Sequence, residues 1–203
     1  MRSRHASIAG AAALIMLGGV VAGAQPASAK SCDGVAVACA IGDTGPGGGI
    51  VFYDAGSPQA WGRYLEAAPA GWSGNAADPK SVWCPMNALG VNTVLPTGTE
   101  IGWGGRNTKL IVNRRACGKR TAAGWASGYA GGGRTDWFLP SKDELNALYA
   151  QRKIVGGLGD VTYWSSSQFS GHKASAWGHY VLTGFQDGWA KTAPSSVRPI
   201  RAF

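Results

Sequence analysis

Between Ile101 and Thr135 the chain carries no Asp or Glu, yet it holds Arg106, Lys109, Arg114, Arg115, Lys119, Arg120 and Arg134. Guanidinium forks and ammonium groups bind sulfate, phosphate and carboxylate, and several acting together draw a polyanion. The first six are therefore the expected ligand-binding residues. A competing arrangement is a solvated helix whose charges point several ways, because at helical spacing Arg114 and Arg115 diverge from Lys109 and Asn113.

Other reactive residue types do not assemble into a known pattern. Asp43-Thr44-Gly45 spells the aspartic-protease triplet, but that chemistry needs a second carboxylate and the chain has no second such triplet. Gly-x-Ser-x-Gly and His-Glu-x-x-His are missing. Beyond the N-terminal segment the histidines are His172 and His179, near Ser165, Ser166, Ser167 and Asp187 in sequence. A Ser–His–Asp arrangement is conceivable there, without supporting spacing. Asp136, Asp143 and Glu144 lie close together, but helix capping and dipole compensation account for two of them, leaving too few oxygens for calcium. The expectation is no catalytic residue, no metal, no cofactor and no enzymatic activity. The glycines of Gly42–Gly49 precede a strand and no lysine follows, so they do not make a phosphate-binding loop. They are also too short a run for a collagen helix. They read as a turn, with positive φ supplied by glycine and stiffness by Pro46.

These residues lie in an exported chain. Arg2 and Arg4 precede an apolar Ala6–Ala24 run, and Ala27-Ser28-Ala29 is a small-x-small cleavage site, so residues 1–29 read as a secretory signal peptide. Lys30 would begin the mature, secreted protein. The full chain has 19 Lys and Arg against 11 Asp and Glu, a formal net charge of +8, and losing Arg2 and Arg4 leaves it basic. No later segment is long and apolar enough to span a membrane. Nucleic acid suits the same charge, but export argues against it. The four cysteines, Cys32, Cys39, Cys84 and Cys117, permit three pairings. Cys32–Cys39 with Cys84–Cys117 is favoured because the first pair closes a short local loop.

Residues 30–41 form a lead-in and 42–203 one domain. Gly49–Asp54 and Arg63–Ala68 read as strands. Residues 70–105 read as loop with Trp72, Trp83 and Trp103 as anchors. Asn107 can cap a helix to about Cys117, and Thr121–Tyr129 is a second helical stretch weakened by Gly124 and Gly128. Ser141 with Glu144 is a capping box, followed by Leu145, Leu148 and Tyr149 at helical spacing, with Gly156-Gly157 as the stop. Strands are expected at Val161–Ser165, Ala174–Leu182, Phe185–Lys191 and Val197–Phe203. This order gives an α+β domain with a small antiparallel sheet.

Taken in sequence, "GDTGPGGGIVFYD", "GRYLEAAP", "TEIGWGGRNTKLIV", "TDWFLPSKDELNALY", "YWSSS" and "VRPIRAF" resemble the Lcl C-terminal domain family of bacterial collagen-like surface adhesins. The resemblance runs from about Gly42 to Phe203. It implies a C-type-lectin-like fold with two main helices, paired N- and C-terminal strands, and Trp164 and Trp177 in the core. It also implies surface attachment or glycan binding. The chain departs from the adhesins in having no collagen stalk before the domain. It also lacks the acidic/amide pair around a proline and the Trp-Asn-Asp run of calcium-dependent lectins. Formylglycine-generating oxidases share the broad fold but need late cysteines, and none follows Cys117. Two functions stand at this point. One is a non-catalytic module for anionic polysaccharide or cell-surface glycan; the other is a protein–protein interaction module of the same fold.

Overall fold

The computed structural model describes residues 29–85 and 92–203. The expected signal peptide lies almost entirely outside the described residues. Strands β1 (Ile50–Gln59), β2 (Gly62–Ala67) and β8 (Ile200–Ala202) form a three-stranded antiparallel sheet in the order β1-β2-β8. Strands β3 (Lys80–Ser81), β4 (Thr162–Gln168), β5 (Ser175–Tyr180), β6 (Phe185–Ala190) and β7 (Ser195–Ser196) form a second sheet in the order β3-β7-β4-β5-β6. Helices α1 (Gly104–Asn113), α2 (Ala122–Gly128), α3 (Lys142–Ala150) and α4 (Arg152–Val155) complete an α+β fold. The terminal strand β8 pairs with β2 rather than with the first strand β1. The N-terminal hairpin, not its first strand, is thus what the C-terminus closes.

Two apolar clusters form the core, and β4 contributes to both, Tyr163 to one and Trp164 to the other. Phe52, Leu65, Leu145, Leu148, Val155, Val181 and Ile200 fill the space between the three-stranded sheet, α3 and α4. Trp83, Ile111, Leu139, Trp164 and Val197 pack with Ala122, Ala123 and Ala126 on the other side. The small alanines bring the α2 backbone close to that cluster, which compensates a helix that glycine weakens. Trp164 is in this core as expected, but Trp177 is only half-buried, packed edge-on against Phe169 with the Lys142 ammonium over its ring.

Ser141 caps α3 with the full capping box: its hydroxyl accepts from Glu144 N, and Glu144 reaches back to Ser141 N. Asn107, by contrast, caps nothing. Helix α1 begins three residues earlier and ends at Asn113, before Cys117. Asn107 is buried inside the helix, donating to Gly98 O and Ser166 Oγ and accepting from Gly98 N.

Both disulfides form as favoured, Cys32–Cys39 and Cys84–Cys117. The second spans 33 residues against 7 for the first, so it restricts the unfolded chain more. Cys84→Ala/Cys117→Ala is expected to lower Tm by roughly 10 °C, and Cys32→Ala/Cys39→Ala by less. Calorimetry on the two variants checks the order. No helix among the described residues is long and apolar enough to cross a membrane.

Candidate functional site

The acid-free window folds so that part of it converges. Asn107, Thr108 and Ile111 are buried, with Thr108 Oγ1 bonded to both the N–H and the carbonyl of Leu139. That fixes the rotation of α1. Arg106, Lys109, Leu110, Asn113 and Arg114 then share the opposite face, at the i, i+3, i+4, i+7, i+8 positions of a single stripe. They line a cleft of about 740 Å³ whose other walls are Trp61, Val94, Leu95, Pro96, Phe138 and Ala202. Arg114 is the C-cap residue and stays with Lys109 and Asn113. The expected divergence therefore holds for Arg115, which is exposed outside this cleft, and not for Arg114. Lys119 and Arg120 line a separate depression, and Arg134 donates to Pro46 O. The six expected residues are three cleft cations, two elsewhere and one loose on the surface. Among the described residues none of the six takes part in an ion pair.

Three devices hold the cleft open. At its rim, Gly102 has φ 93°, and a Cβ there would collide with the Trp61 ring, so glycine lets the indole lie against the backbone. Glu144 accepts N–H bonds from Gly102 at 2.8 Å and Gly104 at 3.4 Å, so α3 supplies the carboxylate that satisfies the start of α1. Across the cleft, Gln168 Oε1 accepts from Leu95 N and from the buried Lys191 ammonium. Lys191 also donates to Thr93 O and Lys173 O, each at 2.7 Å, and lies over the Trp83 ring. Burial lowers its pKa to about 8. One internal cation thus ties the 93–95 wall to β4 and to the β4–β5 connection. Arg106 is steadied in turn by its guanidinium over the Trp103 ring at 4.7 Å.

The other candidates are committed elsewhere. Ser165, Ser166 and Ser167 are buried and donate their hydroxyls to Trp177 O, Pro140 O and Gly98 O. His179 is buried against Tyr149 with both ring nitrogens unpartnered among the described residues, and His172 reaches only Ser175 at 3.5 Å. Asp136 pairs with Arg201. No three His, Cys, Asp or Glu side chains cluster as a metal site among the described residues.

The glycine-rich turn follows the positive-φ expectation only in part. Gly42 and Gly48 do take positive φ, at 97° and 74°. Gly45, Gly47 and Gly49 serve close approach instead, because a Cβ at each would press on the Glu66 carboxylate. That buried carboxylate accepts the Gly47 and Gly49 N–H groups and the Arg201 guanidinium. The loop is an anion cradle after all, occupied by the protein's own side chain.

Glu144 and His179 titrate in opposite senses. Burial pushes the Glu144 carboxyl up from 4.5 to about 7, against the pull of the Ser141, Gly102 and Gly104 N–H donors. The folded state therefore binds this proton more tightly, and the group's contribution to stability falls as pH rises from 4.5 to 7. Burial, then the Arg152 charge, lowers His179 from 6.5 to about 4. Here the unfolded state holds the proton more tightly, so stability is lost as pH falls from 6.5 to 4. The two slopes oppose each other between pH 4.5 and 6.5. His179→Phe, which keeps a ring on Tyr149, removes one of them. Relative to wild type it is expected to gain about 3 kcal/mol on going from pH 7 to pH 4, measured by denaturant titration across that range.

No protein-family model matches this chain, and no curated protein matches its sequence.

Proposed function

We propose that the domain is a secreted, non-catalytic module that binds an anionic polysaccharide or surface glycan in the α1 cleft. The observation that carries this reading is the convergence of Arg106, Lys109 and Arg114 on one walled cleft, with tryptophan and phenylalanine in the walls and no carboxylate among the lining residues. Cations of this kind supply attraction to sulfate or carboxylate, and aromatic walls suit the apolar faces of sugar rings. The volume falls within the range of small-ligand sites, about 300–1,000 Å³. The secretory reading of residues 1–29 and two disulfides suit an oxidising exterior. We further propose membership of the Lcl C-terminal family and a C-type-lectin-like fold, supported by the motif order and by the N-terminal hairpin closed by the C-terminal strand.

A protein–protein module is the second reading. Leu182, in the β5–β6 turn, and Phe185, at the start of the edge strand β6, are 59% and 56% exposed and favour it. Titration of the protein with a heparin oligosaccharide at rising salt separates the two. Affinity that falls steeply with ionic strength supports the cleft reading. No binding at low salt removes it.

A further inference from the structure

A second depression, of about 670 Å³, opens on α2 and takes no part in the α1 cleft. Trp72, Ser73, Lys119, Arg120, Trp125 and Tyr129 give it its chemistry. Trp125, on α2, and Tyr129, the residue that ends it, both line this depression. Trp125 is 48% exposed, an unusual place for the largest side chain unless its face is used. Gly128, between them, leaves open space: a Cβ built there meets nothing within 4 Å.

The platform is rigid. Tyr129 packs edge-on against Trp72 at 5.3 Å and tilted against Trp137 at 4.9 Å. Trp72 is pinned by its indole N–H to Asp78 at 2.8 Å, and Asp78 is itself locked to Arg198. The helix carrying the platform is held by Thr121, which caps it, and by the Cys84–Cys117 bond just before. Lys119 and Arg120 stand exposed beside the aromatics, with no acidic residue among the lining. Ser73 contributes a hydroxyl that is buried yet has no hydrogen-bond partner among the described residues. A buried hydroxyl normally finds one.

We propose that this depression is a second carbohydrate subsite, for a pyranose ring bearing a carboxylate or sulfate. The ring's C–H face lies on Trp125 and Tyr129, whose π faces carry negative potential. Its anionic substituent meets Lys119 and Arg120, and Ser73 bonds a ring hydroxyl. Residues 114–120 run from Arg114 in the first cleft to Arg120 in the second, so one loop serves both. The inference rests on the polysaccharide reading for its ligand class, and it assigns a site that the α1 cleft does not include.

The probe is a glucuronate-containing tetrasaccharide, followed by isothermal titration calorimetry at low and high salt. Trp125→Ala removes the exposed ring, and Gly128→Leu fills the open space without removing any contact. Both positions are exposed, and the Tm of each variant reports whether folding is intact. Each variant is expected to weaken binding about tenfold, while Arg106→Gln/Lys109→Gln/Arg114→Gln retains a component that high salt does not abolish. Wild-type affinity unchanged in both α2 variants overturns the subsite. If in addition the α1 triple variant abolishes binding, the proposed function stands and only the second subsite falls. No binding of the probe by wild type overturns the subsite as well.

Discussion

Asp78→Ala is expected to destabilise the fold by about 3–5 kcal/mol. Arg198 and Asp78 are both buried, and their ion pair is 2.8 Å. The same carboxylate accepts the Tyr163 hydroxyl and the Trp72 indole N–H, each at 2.8 Å. Alanine leaves a buried guanidinium without a counter-charge. The carbonyls of Ala68, Gly156 and Gly157 still accept from it, but carbonyls do not neutralise it. By the usual scaling Tm falls roughly 10–20 °C. Asp78→Ala/Arg198→Met removes the charge as well and is expected to be more stable than Asp78→Ala alone. A double variant less stable than Asp78→Ala would mean that Arg198 acts through its carbonyl bonds and not through the ion pair.

The Glu66 cradle gives the second large effect. Glu66→Ala strips the acceptor from Gly47 N, Gly49 N and Arg201 in a buried site, at a cost of about 3 kcal/mol. Arg201 retains Asp136, which keeps the loss below that of Asp78→Ala. Glu66→Gln preserves one acceptor oxygen and should fall between wild type and Glu66→Ala. Gly47→Ala tests the same contact from the other side, because its Cβ would stand 2.7 Å from both Glu66 Oε1 and Trp137 Cζ2. Chemical denaturation of the three variants ranks them; a Gly47→Ala protein as stable as wild type would mean that the cradle yields without cost.

Local signals were legible in the sequence. The Ser141–Glu144 capping box needs only three residues of spacing, and the structure contains it. The β5–β6 hairpin turns through Gly184 at φ 79°, where a glycine was available. What was not legible depends on partners far along the chain. The start of α1 is satisfied by Glu144, some forty residues later, so no local cap marks it and Asn107 was the nearest misleading candidate. The glycines at 45, 47 and 49 are small because Glu66 comes from another strand. The cleft shows the same division. The stripe Arg106–Lys109–Arg114 was present in the spacing, but Trp61, Leu95, Phe138 and Ala202 reach it from four other segments. The basic window read as one patch because distance in sequence hides which way α1 is turned. Asn107 and Thr108 decide that, and their partners are Gly98, Ser166 and Leu139.

On the proposed function the cleft, not diffuse positive charge, binds the anion. The direct measurement compares heparin-oligosaccharide affinity at low salt for wild type, Arg106→Gln/Lys109→Gln/Arg114→Gln, and Lys80→Gln/Arg115→Gln/Lys153→Gln. Both variants lose the same charge, but the second set lies outside either depression. The cleft variant is expected to lose about tenfold or more in affinity, and the control set little, with Tm unchanged in both. Equal losses in the two variants, or full affinity in the cleft variant, would mean that the cleft is not the anion's binding site.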